Sequence, residues 1–324
     1  MSQESELIIA AYRAVLGRDP DASGLAAYAR IFRGRSCPEA VQITVERLLA
    51  SGEYRRRLLG LSATADDGRI LTSDIEILML TYNEETLLPY SLGPLRQVFK
   101  NFIFLDMGST DQTLDIIAGM LSDGAQVQVI PYKRQNLFEF GYAHARNFAA
   151  AYATKPWLFA VDADEVLVNG VADGKIAIDS TNSATSIVVA QRRNLQRGEW
   201  KIGEPLDTTQ LAWEKIEDKK RLYKAIDRVR WEGYLHEDLY DAANRDLRTA
   251  RSSLVLDHLA SFRDPTEQII KRKMYSWMLL RLYENQSLRK GVSRFWYENY
   301  IPQHMEQLKQ DAREFSQTSA NLTT

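Results

Sequence analysis

The spacing of apolar residues changes near residue 65. Before that point apolar side chains recur at helical spacing, as in Ile8, Tyr12, Val15 and Leu16, and turns rich in Gly and Pro separate three such stripes. This pattern predicts an all-helical module over residues 1–62, with a fourth short helical segment near Leu58. The small and polar residues that follow Leu61 predict a linker over residues 63–73.

Beyond the linker, short apolar runs alternate with helical stretches. The predicted strands are Ile75 to Leu80, Phe102 to Leu105, Val127 to Ile130 and Trp157 to Val161, and the clearest helices are Thr113 to Leu121 and Tyr142 to Tyr152. This alternation predicts an α/β domain with a parallel sheet and helices on both faces. Further short strands extend the domain over residues 74–260, and a long helix from Pro265 opens a helical extension over residues 261–324.

The fourth strand leads directly into acids. The apolar run from Leu158 to Leu167 contains no Gly or Pro and reads as a buried strand that ends in three acids, Asp162, Asp164 and Glu165. Carboxylates at the end of a buried strand need a partner, and ligands of open α/β sheets bind at the carboxyl ends of the strands. Asp162 and Asp164 can share Mn²⁺ or Mg²⁺ with the phosphates of a nucleotide. A capped acidic turn is the structural alternative.

Composition excludes several classes of protein. A net charge of -2 gives no argument for nucleic acid as a partner, and the single cysteine, Cys37, excludes an internal disulfide and a cysteine-based metal site. The acidic residues after Met1 predict that no signal peptide is present, and no apolar run has the length of a membrane span. We therefore expect a cytoplasmic protein, and peripheral contact with the inner face of the membrane stays open.

Polar blocks at four other places are expected at the same edge of the sheet. The first strand ends in residues suited to a nucleobase and ribose, and the second ends in an acid at the strand tip. A third block begins a helix, and the fourth places a histidine and two acids after a later strand. The blocks are Thr81-Tyr82-Asn83-Glu84, Asp106-Met107-Gly108-Ser109-Thr110-Asp111, Gly141 to Asn147, and Trp231 to Asp238.

In this order the five blocks resemble the family 2 glycosyltransferases with the GT-A fold. The resemblance rests on Asn83-Glu84, the Asp106 block, Ala145-Arg146-Asn147, Asp162-Ala163-Asp164 and His236-Glu237. It implies a Rossmann-like, mostly parallel central sheet between the N-terminal helical module and the C-terminal helices. It also implies metal-dependent, inverting transfer of a sugar from a nucleoside-diphosphate sugar, expected to be a UDP-sugar, to a hydroxyl of a glycan, glycolipid or protein. The nearest variants resemble bacterial transferases that build lipopolysaccharide, capsule or glycoproteins.

The resemblance assigns roles to individual residues. Asp162, Ala163 and Asp164 would hold ribose, metal and diphosphate, and Glu237 or Asp238 would be the base that deprotonates the acceptor. Glu237 is preferred because the nearest-looking members share the His-Glu pair. The nucleotide pocket would be lined by Thr81, Tyr82, Asn83, Glu84, Asp106 and Arg146. Met107 stands where many members of the family have a second Asp that helps to fix the base. The resemblance therefore specifies the identity of the nucleotide less well.

For four residues the sequence leaves more than one role open. Arg146 could reach the diphosphate or pair with Asp106. His236 could orient the base, ligate metal or be structural. For His258, within the predicted strand Leu254 to Leu259, a hydrogen-bonded core histidine is preferred over a further metal ligand. Lys271 and its neighbours could face an anionic acceptor or lipid headgroups.

The N-terminal module carries a second resemblance. Residues 12–21, with Gly24, Leu25 and Tyr28, resemble the bacterial module called domain of unknown function 4214, and more distantly the phycobilisome linker domain. The resemblance conveys no chemistry, and we expect a small bundle that packs on the chain or docks a protein partner.

Two other functions are alternatives to glycosyl transfer. A sugar-nucleotide pyrophosphorylase would need a glycine-rich phosphate loop after the first strand, and Thr81 to Glu85 is not such a loop. A non-catalytic sugar-nucleotide-binding or scaffold protein would use the sheet without turnover. The acidic residues Asp162, Asp164 and Glu237 argue against this second rival.

Overall fold

The computed structural model describes residues 2–16, 19–20, 22–49, 68–179, 185–226, 229–241 and 249–320. Near the N-terminus of these ranges lie three helices, α1 (Gln3–Leu16), α2 (Ala22–Phe32) and α3 (Cys37–Leu49). They pack around a small core that includes Ile8, Tyr12, Phe32 and Leu48. The three predicted stripes are confirmed, whereas the fourth segment near Leu58 and most of the predicted linker lie outside the described residues. The domain limits at residues 62 and 73 stay predictions.

A mixed sheet of eight strands forms the centre of the later described ranges. Its strands are β2 (Ile75–Thr81), β3 (Asn101–Asp106), β4 (Gln126–Pro131), β5 (Trp157–Ala160), β6 (Glu165–Asn169), β9 (Ile187–Leu195), β10 (Trp213–Lys224) and β13 (Ala250–His258). Their order in the sheet is β4-β3-β2-β5-β10-β9-β13-β6. The pairs within β4-β3-β2-β5 are parallel, as is β9 with β13, and the other pairs are antiparallel. Smaller pieces are β1 (Arg69–Leu71), β7 (Val171–Ala172), β8 (Lys175–Ala177), β11 (Val229–Glu232) and β12 (Asp238–Asp241).

Alternating side chains give the sheet two apolar faces. Along β2, Ile77 and Met79 belong to one core, whereas Leu78 belongs to the other. Helices α4 (Leu88–Val98) and α5 (Thr113–Gly119) contribute to the first core, and α6 (Arg134–Ala150) and α7 (Pro265–Glu284) contribute to the second. The predicted α/β arrangement, with helices covering both faces of the sheet, is confirmed.

The acidic segment after β5 is a short link between strands that are not neighbours. Only residues 161–164 join β5 to β6, although β10, β9 and β13 lie between these two strands in the sheet. A flat sheet would separate them by about 19 Å, whereas five extended residues reach about 17 Å. A turn shortens the link further, because the Glu165 amide donates to the Asp162 carbonyl at 2.9 Å. The sheet therefore curls, which brings its edge strand β6 towards β5, and Asp162 and Asp164 lie in the link between these two strands.

The apolar run from Leu158 to Leu167 is accordingly two strands. The sequence pattern joins β5 and β6 because both are apolar, and it carries no mark of the distant partner strand β13, which pairs Val166 with Asp257. The predicted helix beginning at Tyr142 corresponds to the second part of α6, which follows a break at Gly141, and the first part, from Arg134, was not predicted.

The C-terminal extension is helical, as predicted. Asp264 caps α7, since its Oδ1 accepts from the Thr266 amide at 2.7 Å. A π-helical turn (Phe295–Tyr300) precedes α8 (Met305–Ala320), which packs on α7. None of the helices in the described ranges combines the length and the apolar character needed to cross a membrane.

Gly141 breaks α6 into two parts. Its φ of 82° and ψ of 179° are accessible to glycine and essentially to no other residue. A Cβ there would lie 2.6 Å from the Cα of Tyr234, and the Tyr142 amide donates to the Tyr234 carbonyl at 3.0 Å. The break therefore docks the second half of α6 onto the segment that leads to Glu237.

We expect Gly141→Ala to lower the free energy of unfolding by at least about 1–3 kcal/mol, because it adds backbone strain and a clash. Gly119→Ala is the matched control, since Gly119 ends α5 with ordinary φ and open space around its Cα. Urea denaturation should show the control unchanged or raised by about 0.4–1 kcal/mol. Equal stabilities for the two variants would contradict this account.

Candidate active site

The loops that follow β2 and β3 are joined by polar side chains. Asp106 accepts from the amides of Gly108 and Ser109 at 2.9 and 3.0 Å, and Thr81 Oγ1 lies 3.3 Å from its Oδ1. Asn83 Oδ1 accepts from the Thr110 amide at 2.8 Å. These predicted pocket residues therefore fix the two loops together, and Asp106 bonds to its own loop. Direct contact of Asp106 with a nucleotide stays a prediction.

Tyr82 presents an aromatic face beside this junction. The guanidinium carbon of Arg134, at the start of α6, lies 3.8 Å from the centroid of the Tyr82 ring. In the part of the chain that the structure describes, Arg134 pairs with no carboxylate, and burial lowers its pKa. Arg134 was not among the residues predicted from the sequence, where the available signal was a cation at the first helical position after β4.

Arg146 joins the two acids that the sequence analysis placed in different blocks. Its Nη2 lies 2.6 Å from Asp162 Oδ1, and its Nε lies 2.8 Å from Glu237 Oε1. Arg146 thus pairs with Asp162 and Glu237 rather than with Asp106. The neighbouring Asn147 exchanges two hydrogen bonds with the backbone of Trp231, which fixes β11 before the Glu237 loop.

Asp162 is held on both oxygens. Arg221 Nη2 lies 2.8 Å from Oδ2, opposite the Arg146 contact on Oδ1. Burial alone would raise the pKa of the Asp162 carboxyl, but Arg221 and Arg146 outweigh it and hold that pKa well below its usual value. Asp162 is therefore a carboxylate at neutral pH.

Buried Glu165 supports this turn. It accepts from the Asp162 amide at 3.0 Å and is paired with Arg221, while Arg192 lies 3.5 Å away. Glu165 was assigned no role from the sequence, and the roles of Arg192 and Arg221 were not predicted. Arg221 carried a signal, because it begins a predicted strand that is otherwise apolar or aromatic until Lys224.

Asp164 is surrounded by cations. Its side chain is 5% exposed, and Arg263 Nη2 lies 2.9 Å from Oδ2, with Lys271 Nζ 3.6 Å from the same oxygen. Burial opposes ionisation, but Lys271, Arg263 and His258 together lower the pKa of the Asp164 carboxyl. Arg263 also contacts Glu84, with Nη1 2.8 Å from Oε2 and Nη2 2.9 Å from Oε1. Glu84 and Asp164 therefore share one guanidinium.

His258 lies on the other oxygen of Asp164. Its Nε2 is 3.7 Å from Asp164 Oδ1, and its Nδ1 is 2.9 Å from Asn194 Oδ1. An amide oxygen can only accept, so the Nδ1 atom donates and Nε2 is left facing Asp164. The hydrogen bond from Nδ1 agrees with the preferred interpretation of His258 as a hydrogen-bonded histidine. The position of Nε2 beside Asp164 suits the alternative, a metal ligand.

Asp164 and His258 form a donor pair that fits a divalent cation. Two ligands of one octahedral Mg²⁺ lie about 3 Å apart, so this pair needs a shift below about 1 Å. No group of three or more His, Cys, Asp or Glu residues able to hold a metal occurs among the described residues. The chain would therefore supply part of the coordination shell, and water and anionic oxygens of a ligand would complete it.

Glu237 and Asp238 face different partners. Glu237 is 13% exposed and bonds to Arg146, whereas Asp238 is 45% exposed and its Oδ2 lies 2.6 Å from Lys220 Nζ. The adjacent His236 stacks on Trp296, with ring centroids 3.9 Å apart. The structure thus brings Glu237, but not Asp238, into the Arg146–Asp162 cluster.

Removal of Arg146 tests the importance of this cluster. We expect Arg146→Met to lower the free energy of unfolding by about 3–5 kcal/mol, because two carboxylates would lose their shared cation. Arg251→Met is the matched control, since Arg251 is 70% exposed and pairs with Asp218. Urea denaturation should show a change of at most about 1 kcal/mol for the control. Similar losses for both variants would contradict this energetic role of Arg146.

Comparisons with known proteins agree with the five sequence blocks. The sequence profile of the family described as Glycosyl transferase family 2 matches residues 76–242, just over half of the 324-residue chain. The prophage-derived glycosyltransferase SunS of Bacillus subtilis is 35% identical over 99 residues, which are 31% of this chain and 22% of SunS. An uncharacterized glycosyltransferase of Rickettsia bellii is 31% identical over 104 residues, or 32% of each chain. The chain thus matches a third or less of the length of these relatives.

A solved structure is also similar, at a lower sequence identity. Residues 1–349 of TarS from S. aureus are 13% identical with a TM-score of 0.34, over 64% of this chain and 65% of that one. The predicted α/β fold of the GT-A type, with a central sheet and helices at both ends of the chain, is confirmed. The resemblance to family 2 of the glycosyltransferases is confirmed by the profile match over residues 76–242. The chain belongs to glycosyl transferase family 2.

Proposed function

We propose that this chain is a metal-dependent, inverting glycosyltransferase. It would move a sugar from a nucleoside-diphosphate sugar, with uridine diphosphate as the expected carrier, to a hydroxyl of a glycan, glycolipid or protein. The observation that supports this most is the arrangement around the link between β5 and β6, where Arg146 pairs Asp162 with Glu237 and the nearby Asp164 faces His258.

The nucleotide would bind where β2 and β3 end. Tyr82 offers a face for the base, while Thr81, Asn83 and Asp106 hold the loops that shape the pocket. Asp162 follows β5 at the same edge, and we assign it to the ribose because both of its oxygens already carry cations. Ala163 keeps the turn between the two aspartates small.

Asp164 and His258 would hold Mn²⁺ or Mg²⁺. The metal ligands predicted from the sequence were Asp162 and Asp164, with His258 and His236 as alternatives. The proposal keeps Asp164 and His258 and leaves out Asp162 and His236. A bound cation would offset the charge that gathers on the diphosphate as the glycosidic bond breaks. Arg263 and Lys271 lie beside Asp164 and add positive charge at the same place.

Glu237 would take the proton of the acceptor hydroxyl. Arg146 contacts Oε1, and in the described ranges no other hydrogen bond is made to this carboxylate, so Oε2 can accept. One base and one departing diphosphate suffice for a single displacement, which inverts the anomeric carbon. Asp238 is already paired with Lys220 and is the weaker candidate.

Metal dependence is tested with release of UDP from whichever UDP-sugar stabilises the protein most in a thermal-shift screen. We expect release to require Mn²⁺ or Mg²⁺ and to stop with EDTA. Asp164→Ala should lower the rate at least about 100-fold, because a cation supplies several kcal/mol. Asp218→Ala, at an exposed ion pair, is the control. Calorimetric donor binding without any release over a wide acceptor panel would instead favour the non-catalytic alternative.

Glu237→Gln tests the base. We expect transfer to fall about 100-fold or more while the Kd of the donor changes less than about twofold, because general base catalysis is lost but donor contacts remain. Asp238→Asn should keep transfer within a few-fold of the wild type. A normal rate in Glu237→Gln, or a larger loss in Asp238→Asn, would remove Glu237 from this role.

A further inference from the structure

The two cations on Asp164 differ in how firmly they are held. Arg263 is 8% exposed and is fixed by Glu84 as well as by Asp164. Lys271 is 40% exposed, and Asp164 is its one carboxylate partner within the described part of the chain. A lysine ammonium is a compact charge on a flexible four-carbon stem, so Lys271 can leave at far lower cost than Arg263.

The charges around Asp164 balance without a metal. Two carboxylates, Glu84 and Asp164, face two cations, Arg263 and Lys271. A divalent ion on Asp164 and His258 would bring an excess of positive charge next to Lys271. The ion and the lysine would repel each other at a distance of a few ångströms, where charges interact strongly even near a protein surface.

We propose that Lys271 is a resident counter-cation of Asp164 that a divalent metal must displace, and that the displaced ammonium then binds the donor diphosphate. The inference rests on the proposed metal site at Asp164 and His258. It assigns Lys271 to the donor side of the site, rather than to the anionic acceptor or lipid headgroups that the sequence left open.

A consequence is that metal and nucleotide depend on each other. Without nucleotide, Lys271 competes with the metal for Asp164. The diphosphate offers the ammonium a new partner and supplies oxygens to the metal, so each ligand strengthens the binding of the other. When neither is present, Lys271 adds a second cation beside buried Asp164, because Arg263 is shared with Glu84 and alone would balance only one of the two carboxylates.

The test measures Mn²⁺ binding without nucleotide, from the loss of the free Mn²⁺ electron paramagnetic resonance signal. We expect Lys271→Met to bind Mn²⁺ at least about fivefold more tightly than the wild type. Lys271→Arg keeps the charge and should stay close to the wild type. Lys273→Met is the matched control, because Lys273 lies on the same helix and pairs with Glu314 at 2.7 Å, so it should bind Mn²⁺ as the wild type does.

The second arm measures UDP binding by calorimetry at saturating Mn²⁺. We expect Lys271→Met to weaken UDP at least about fivefold, and Lys273→Met to leave it unchanged. Equal Mn²⁺ affinities in the wild type and Lys271→Met would overturn the inference while the proposed metal site survives. Failure of all variants and the wild type to bind Mn²⁺, with UDP release independent of metal, would overturn both. Thermal denaturation confirms that each variant is folded.

Discussion

The buried guanidinium of Arg146 is the interaction on which the site depends. It lies between the acid that ends β5 and the acid that follows β11, and it is positioned by the break at Gly141. A carboxylate buried without a partner is costly, and Glu237 has Arg146 as its one cation within the described ranges, whereas Asp162 also contacts Arg221. The shared guanidinium of Arg146 also fixes the separation of Asp162 and Glu237.

The same rule applies across the whole cluster. Each of these acids contacts an arginine. Arg221 pairs with both Glu165 and Asp162, and Arg263 pairs with both Glu84 and Asp164. Arginine suits this task because its planar fork contacts two carboxylates at once and stays charged. Within the described part of the chain one lysine, Lys271, contacts these acids, and it is 40% exposed, in contrast to the buried arginines.

The sequence predicted those parts of the molecule that leave a local pattern. Apolar runs gave the strands β2, β3 and β5, and the acids after β5 gave Asp162 and Asp164, because a strand end is visible within a few residues. The partners of these acids could not be predicted, since Arg221 and Arg263 follow Asp162 by 59 residues and Asp164 by 99 residues. The division of one apolar run into β5 and β6 was missed for the same reason, because it depends on β13.

The curled link between β5 and β6 bears on how the chain folds. Residues 161–164 span the gap between these strands in a sheet in which β6 pairs with β13, some ninety residues further along the chain. Contacts of such long sequence separation tend to form late in folding, because closing the intervening chain costs entropy before the contact is gained. We therefore expect a partly folded chain to form β2, β3 and β5 before His258 of β13 reaches Asp164, so that this contact reports on completion of the entire sheet.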